Sequence, residues 1–207
     1  MSQNQYDYIA RVYDPIAKLV LGKSYTESKF KHLEQIKEGD KVLLLGGGTG
    51  ENLAEMANRV GYSGMVYFVE ASKVMMDMAW KKVPPEIRDR VIWTYENDFT
   101  WLPKEKFDVV VTQFFLDILP DKEIQNLFQE LEEKTKSSSL WIFTDFFEKK
   151  EKARLLSLMM TFFKWVSNNP RKNLPDYFRY FDSFGWKEKV LTEFDSGWIK
   201  SILFSKY

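Results

Sequence analysis

The chain of 207 residues suits one compact domain with a sizeable core. Lysine and arginine balance aspartate and glutamate at thirty each, so no global field draws the protein onto nucleic acid, and no nucleic-acid partner is expected. Cysteine is absent and His32 is the single histidine, which excludes disulfides, thiolate catalysis, zinc–thiolate sites and multi-histidine metal centres.

Met1-Ser2-Gln3-Asn4-Gln5 lacks the basic and apolar regions of a secretory signal. No apolar run approaches the roughly 20 residues that span a bilayer, so a soluble, cytoplasmic protein is expected. Asn4 to Leu21 reads as helical, with Pro15 starting a new turn or kinking it. Ser24 to Ile36 reads as a second helix, Ser24 and Glu27 forming a capping box. Lys41 to Leu45 is the first strand, and Glu51 to Arg59 the helix that follows it. Met65 to Val69 is the second strand; Ser72 then caps a helix to about Lys82, halted by Pro84-Pro85. Val91 to Tyr95 and Phe107 to Gln113 are strands, Asp121 to Lys134 a helix, and Ser139 to Asp145 the fifth strand. Trp186 to Phe194 and Trp198 to Ser205 flank Asp195-Ser196-Gly197 as a hairpin. This alternation predicts an α/β fold: a doubly wound, mostly parallel, seven-stranded sheet with a C-terminal antiparallel hairpin, in a single domain over residues 1–207.

The chemistry points to Val42-Leu43-Leu44-Leu45-Gly46-Gly47-Gly48-Thr49-Gly50, with Glu70 at the end of the next strand. Glycines let a backbone turn sharply and approach a ligand, and a carboxylate accepts two hydrogen bonds from a ribose. A dinucleotide site needs G-x-G-x-x-G, but Glu51 stands where the third glycine belongs, and an anion there suits a pyrophosphate poorly. No Walker loop is present. The pocket therefore reads as one for a nucleoside without phosphates.

These motifs, in this order, resemble the class I S-adenosylmethionine-dependent methyltransferases. The glycine turn, with Gly46, Gly47 and Gly48, is similar to that family's first motif. Glu70-Ala71-Ser72 with Met75 and Ala79 is similar to its second, which implies that Glu70 holds the ribose and that Ala71 and Met75 border adenine. Asn97-Asp98-Phe99, with Leu102-Pro103 behind, resembles the third, which implies contact between Asp98 and the adenine amino group. Phe107 to Val111, followed by Thr112-Gln113 and Leu116 to Pro120, is similar to the fourth, with Gln113 at the cofactor. The family usually carries an acid at the position of Leu44; in its absence another group, Glu51 or a backbone carbonyl, holds the cofactor's ammonium, or cofactor binding is weakened. Tyr6-Asp7-Tyr8-Ile9-Ala10 with Tyr13-Asp14 is similar to the start of the quinone-biosynthesis C-methyltransferases. That likeness implies that the leading helices, residues 1–38, cover the cofactor site and bring Tyr8 and Tyr13 near the methyl group.

The resemblance thus implies S-adenosyl-L-methionine as cofactor and in-line methyl transfer to a small, lipophilic organic acceptor. An acceptor that must lose a proton finds its base among Asp117, Tyr13 and His32, the first two ahead by location. Each residue has a structural alternative: the glycine turn as an ordinary link, Met75 as core, Gln113 as a loop residue, Asp98 and Asp117 as caps, and the tyrosines as rings buried on the sheet. His32 reads as a partly exposed structural residue. A non-catalytic S-adenosylmethionine-binding protein of the same fold is the alternative function.

Residues 147–184 read as a helical insertion that covers the acceptor. Within it Leu155, Leu156, Met159, Phe162, Phe163 and Val166 recur at helical spacing, as core, as lid, or as an apolar face for a membrane. Seven lysines and arginines against two glutamates between Glu148 and Lys172 permit peripheral contact of 149–172 with an anionic surface.

Overall fold

A computed structural model describes residues 21–96, 105–167 and 173–206, with the backbone alone for 160 and 162–167. The parallel strands are β1 (Lys41–Leu45), β2 (Met65–Glu70), β3 (Val91–Tyr95), β4 (Phe107–Gln113) and β5 (Thr135–Phe146). The antiparallel pair is β6 (Trp186–Phe194) and β7 (Ile199–Lys206), and the sheet order is β3-β2-β1-β4-β5-β7-β6. The chain winds outward from β1 to β3 and returns to β4 on the other side of β1. The order therefore reverses between β1 and β4, and a crevice opens at their carboxyl ends, where such sheets take ligands.

Period-two alternation assigns each strand's side chains to opposite layers. Val42, Leu44, Phe68 and Val111 pack with helices α2 (Leu53–Val60) and α3 (Lys73–Lys82) on one face. Leu43, Leu45, Trp141 and Phe143 pack with α4 (Asp121–Lys134) and α6 (Tyr177–Ser183) on the other. The chain's high aromatic content gathers largely in that second layer. Phe181 stacks on Phe204 at 3.8 Å and Phe128 on Trp141 at 4.7 Å, and the Trp141 indole donates to Thr112 Oγ1 at 2.8 Å. A third, smaller cluster lies at the carboxyl edge: Leu21, Tyr25, Phe114, Phe146, Trp198 and Ile199. Leu155 and Met159 of α5 (Ala153–Ser167) pack against it, whereas Leu158 on the same helix is 68% exposed. No helix among the described residues is long and apolar enough to cross a membrane.

Three elements differ from the sequence expectation. Helix α1 covers residues 21–30, so Ser24 lies inside it and forms no N-terminal cap. The helix stops short of Ile36 because His32 adopts a left-handed backbone, φ 66°, before a 3₁₀ turn at Leu33–Gln35. His32 is also buried, at 2% exposure, with its Nε2 3.2 Å from the Ser201 carbonyl on β7. Third, β5 begins at Thr135, four residues early. Thr135 pairs with Phe107 and its hydroxyl donates to Leu131, while Ser139 Oγ donates to the Phe107 carbonyl. The exposed Lys136-Ser137-Ser138 run between them has no strand pattern to read.

Burial holds the His32 pKa below its ordinary 6.5, outweighing the Ser201 bond and Glu34, which raise it. The unfolded chain therefore binds the extra proton first, and the contribution of neutral His32 to stability is present above pH 6.5 and lost as pH falls below it. Urea unfolding at pH 7.5 and 5.5 should show a smaller loss of midpoint on acidification for His32→Gln than for the wild type. Equal losses would show that His32 does not carry the effect.

Candidate functional site

The carboxyl end of β1 runs into a turn in which Gly46, Gly48 and Gly50 have φ of 62°, 56° and 67°. A side chain at Gly46 would lie 2.3 Å from the Phe115 ring, one at Gly47 2.2 Å from Phe68, and one at Gly50 2.7 Å from Ala79. Packing alone therefore demands glycine at these three positions. Gly48 differs: among the described residues nothing lies within 4 Å of where its Cβ would be, so the turn presents bare backbone to them there. Lys82 Nζ ties the turn to the end of α3 by donating to Thr49 Oγ1 at 2.7 Å.

Beside that opening stands Glu70, at the tip of β2 and 8% exposed. The Gly48 N–H donates to its Oε2 at 2.8 Å and the Ser72 N–H to its Oε1 at 2.7 Å. These two bonds fix the orientation of the carboxylate. Ser72 caps α3 by accepting from the Met75 N–H at 3.2 Å, as its position before the apolar run predicted. Ala71 is half-buried and Met75 buried beside Glu70, while Met76 and Ala79 are the residues of α3 that enter the core.

Gln113, at the tip of β4, is buried and engaged with the protein itself. Its Oε1 accepts from Asn52 Nδ2 at 2.8 Å, and its Nε2 donates to the Lys29 carbonyl at 2.7 Å. Asn52 Nδ2 also donates to that carbonyl, at 2.7 Å. Asn52 occupies the N-cap of α2 yet makes no side-chain cap, spending its amide on the end of α1 instead. The next residue, Phe114, has φ 52°, a strained conformation for a bulky side chain, costing about 1–3 kcal/mol. Its ring stands 4.6 Å from Tyr25 and 4.8 Å from Phe146, which in turn lies 5.0 Å from Trp198.

Asp117 is 3% exposed, in a 3₁₀ turn after β4, and its N–H donates to Asp145 Oδ2 at 3.3 Å. Asp145, fully buried near the end of β5, also accepts from the Phe146 N–H at 2.9 Å, and the Tyr177 hydroxyl lies beside it. Burial, and then the Asp117 charge, push the Asp145 carboxyl well above the usual range. Asp145, Tyr177 and Asn52 are site-edge residues that motif reading misses. An acid ending the apolar run Leu140 to Phe146 was the available signal for Asp145. Asn52, at a helix start, looks like a cap. Tyr8, Tyr13, Asp98 and Phe99 lie outside the described residues.

The structure therefore brings together Gly48, Glu70, Ala71 and Met75 at the tips of β1 and β2, with Gln113, Phe114 and Asp117 beyond the tip of β4. A cleft of about 580 Å³ lies on the far side of β5, between Phe147, Leu174, Tyr177 and Lys200, and no glycine-turn residue lines it.

This sheet order, with the glycine turn and Glu70 at its switch point, is the class I methyltransferase fold. Residues 42–138 match the methyltransferase domain. The demethylmenaquinone methyltransferase of Lactobacillus johnsonii is 32% identical over 126 residues, 57% of this chain and 51% of that protein. The chain thus spans about half the length of that curated relative. A S-adenosylmethionine-dependent methyltransferase from Aquifex aeolicus superposes with TM-score 0.67 at 18% identity, covering 97% of this chain and 98% of that one. DhpI in complex with S-adenosylhomocysteine superposes with TM-score 0.71 at 16% identity, covering 99% and 95%. Over residues 42–138 the chain is thus similar in sequence to methyltransferase domains, and it shares the fold of the class I S-adenosylmethionine-dependent methyltransferases. The residues present fit the adenosine part: Gly48 offers backbone without a side chain, and Glu70 offers an oriented acceptor.

Two predictions follow from this geometry. Gly47→Ala should lower the melting temperature more than Gly48→Ala, because only the first collides with a buried ring, whereas Gly48→Ala should weaken S-adenosylhomocysteine binding by filling the opening. The reverse order in thermal melts and calorimetry would reject the assignment. For Asp145, a raised folded pKa means a contribution present below the ordinary 3.8 and lost as pH rises through the folded value. Asp145→Asn should therefore flatten the fall in unfolding free energy as pH rises above the ordinary 3.8; an unchanged slope would show that the acid is not perturbed.

Proposed function

We propose that the protein transfers a methyl group from S-adenosylmethionine to a small, lipophilic organic acceptor. The observation that carries this reading is the Gly48–Glu70 opening at the tips of β1 and β2; the aromatic row Tyr25, Phe114, Phe146 and Trp198 lies along the same carboxyl edge of the sheet, beyond the neighbouring β4 and β5. Bound S-adenosylmethionine supplies an electrophilic methyl on a sulfonium. Glu70 grips the ribose hydroxyls, with Ala71, Met75, Asp98 and Phe99 around the base. The aromatic faces attract cationic charge and keep out water, the competing nucleophile. Aligning an acceptor in such a wall at about 3–3.5 Å can supply roughly 7–11 kcal/mol of the barrier.

The same wall favours an apolar acceptor that carries oxygen. Trp198 is fully buried, and its indole N–H has no hydrogen-bond partner among the described residues, so it is a donor suited to an oxygen on an otherwise apolar molecule. Leu174 belongs both to the cleft beyond β5 and to the edge of the aromatic cluster, which offers a route inward. Residues 1–38 and 147–184 are assigned as covers over cofactor and acceptor, and exposed Leu158 with the basic residues of 149–172 as a surface for peripheral membrane contact. Where the acceptor must lose a proton, Asp117 and Tyr13 are assigned to take it.

Incubating the chain with S-adenosylmethionine and a panel of phenols, quinols and carboxylic acids, with mass spectrometry for a gain of one methyl, tests the reading. Methylated product with equal S-adenosylhomocysteine supports it; tight cofactor binding without turnover on any member favours the non-catalytic alternative. Glu70→Ala should weaken S-adenosylmethionine binding about tenfold or more, from loss of charge-assisted bonds of about 1.5–3 kcal/mol. Unchanged affinity in calorimetry would remove Glu70 from the site.

A further inference from the structure

The amino-acid end of S-adenosylmethionine carries a carboxylate and an ammonium, and Leu44, where a carboxylate would receive that ammonium, is 2% exposed and packed with Val42, Phe68 and Val111. The glycine turn nonetheless ends in a pair of opposite charges. Glu51 follows Gly50 directly, and its Oε2 lies 3.5 Å from Lys29 Nζ, with the two side chains 10% and 15% exposed. Thr26 Oγ1 donates to Glu51 Oε1 at 3.5 Å. The Lys29 ammonium also stands over the Tyr25 ring at 4.3 Å and the Phe114 ring at 5.9 Å.

We propose, resting on the cofactor reading above, that Lys29 and Glu51 receive the amino-acid end of the cofactor, Lys29 its carboxylate and Glu51 its ammonium, in place of the acid missing at Leu44. Three features of the geometry support the assignment. Separation comes first: close charge-assisted bonds run at about 2.7–2.9 Å, so a pair at 3.5 Å is a loose contact that can open. The energetics agree. Burying an unmatched charge is costly, but a zwitterion inserted between two opposite charges leaves each of them matched. Position is the third. Asn52 Nδ2 and Gln113 Nε2, each 2.7 Å from the Lys29 carbonyl, pin the main chain from which the ammonium projects. Asn52 and Gln113 are thereby positioning residues for Lys29, and the uncapped N-terminus of α2 acquires a reason.

The test is calorimetry on the full chain with two probes. S-Adenosylhomocysteine carries the amino-acid end; 5′-methylthioadenosine keeps the adenosine and lacks that end. Lys29→Met and Glu51→Gln should each weaken S-adenosylhomocysteine about tenfold or more while changing 5′-methylthioadenosine by less than about twofold. Lys29→Arg, which keeps the charge, should restore most of the loss. Unchanged S-adenosylhomocysteine affinity in both variants overturns the assignment, and so do equal losses for the two probes, which would mean that the residues act through the fold. Retained 5′-methylthioadenosine binding shows that each variant is folded. A wild-type chain that binds neither probe overturns the cofactor reading itself and this inference with it; binding of both leaves that reading standing whatever the variants show.

Discussion

The Gly48 N–H and the Glu70 carboxylate meet across the tips of β1 and β2, and that bond gives the crevice its shape. A left-handed glycine turn has few ways to satisfy its own backbone donors, and the acid at the tip of the neighbouring strand accepts one of them. The Ser72 N–H takes the other oxygen, so the same carboxylate also sets the start of α3. Phe68, Phe115 and Ala79 then hold the turn from behind and leave Gly48 as its open point. The opening is thus built before any ligand arrives, which lowers the ordering cost of binding.

Behind the crevice the two layers differ in kind. The α2/α3 face is aliphatic for the most part, with Phe68 as its large ring. The α4/α6 face stacks Phe128, Trp141, Phe143, Phe181 and Phe204. Large rigid rings bury much area for few rotamers, so that half makes a stiff platform for β4, β5 and the hairpin. The buried acid pair Asp117 and Asp145 sits at the edge of this platform. Asp145 offers its carboxyl oxygens to the main chain of both strand ends, which explains a polar group in so apolar a layer.

Helix α1 is joined to the site through its last turn. Helix ends leave carbonyls without internal partners, and here the Lys29 carbonyl is met by Asn52 from the glycine-turn side and Gln113 from the β4 side. Thr144 on β5 reaches the Ser28 carbonyl at 3.4 Å, and His32 reaches β7. Four parts of the sheet edge therefore fix one helix end.

Strand positions, the glycine turn, Glu70 and the Ser72 cap were legible in the sequence because each rests on local chemistry: continuous apolar runs, backbone freedom, a strand-ending acid, a hydroxyl before a helix. The break at His32, the early start of β5 and the burial of Asp145 were not, since each depends on a partner far along the chain, Ser201, Phe107 and Asp117 respectively. Gln113 shows the boundary well. Its place at a strand tip follows from sequence, but whether its amide faces a ligand or the protein depends on where α1 ends. By itself the sequence determined the order of elements and the glycine turn with its strand-ending acid, because periodicity and turn chemistry act over a few residues. Only the tertiary structure decided which glycine stays open, which acid is buried and which charges meet at the turn, because those outcomes depend on packing between segments tens of residues apart.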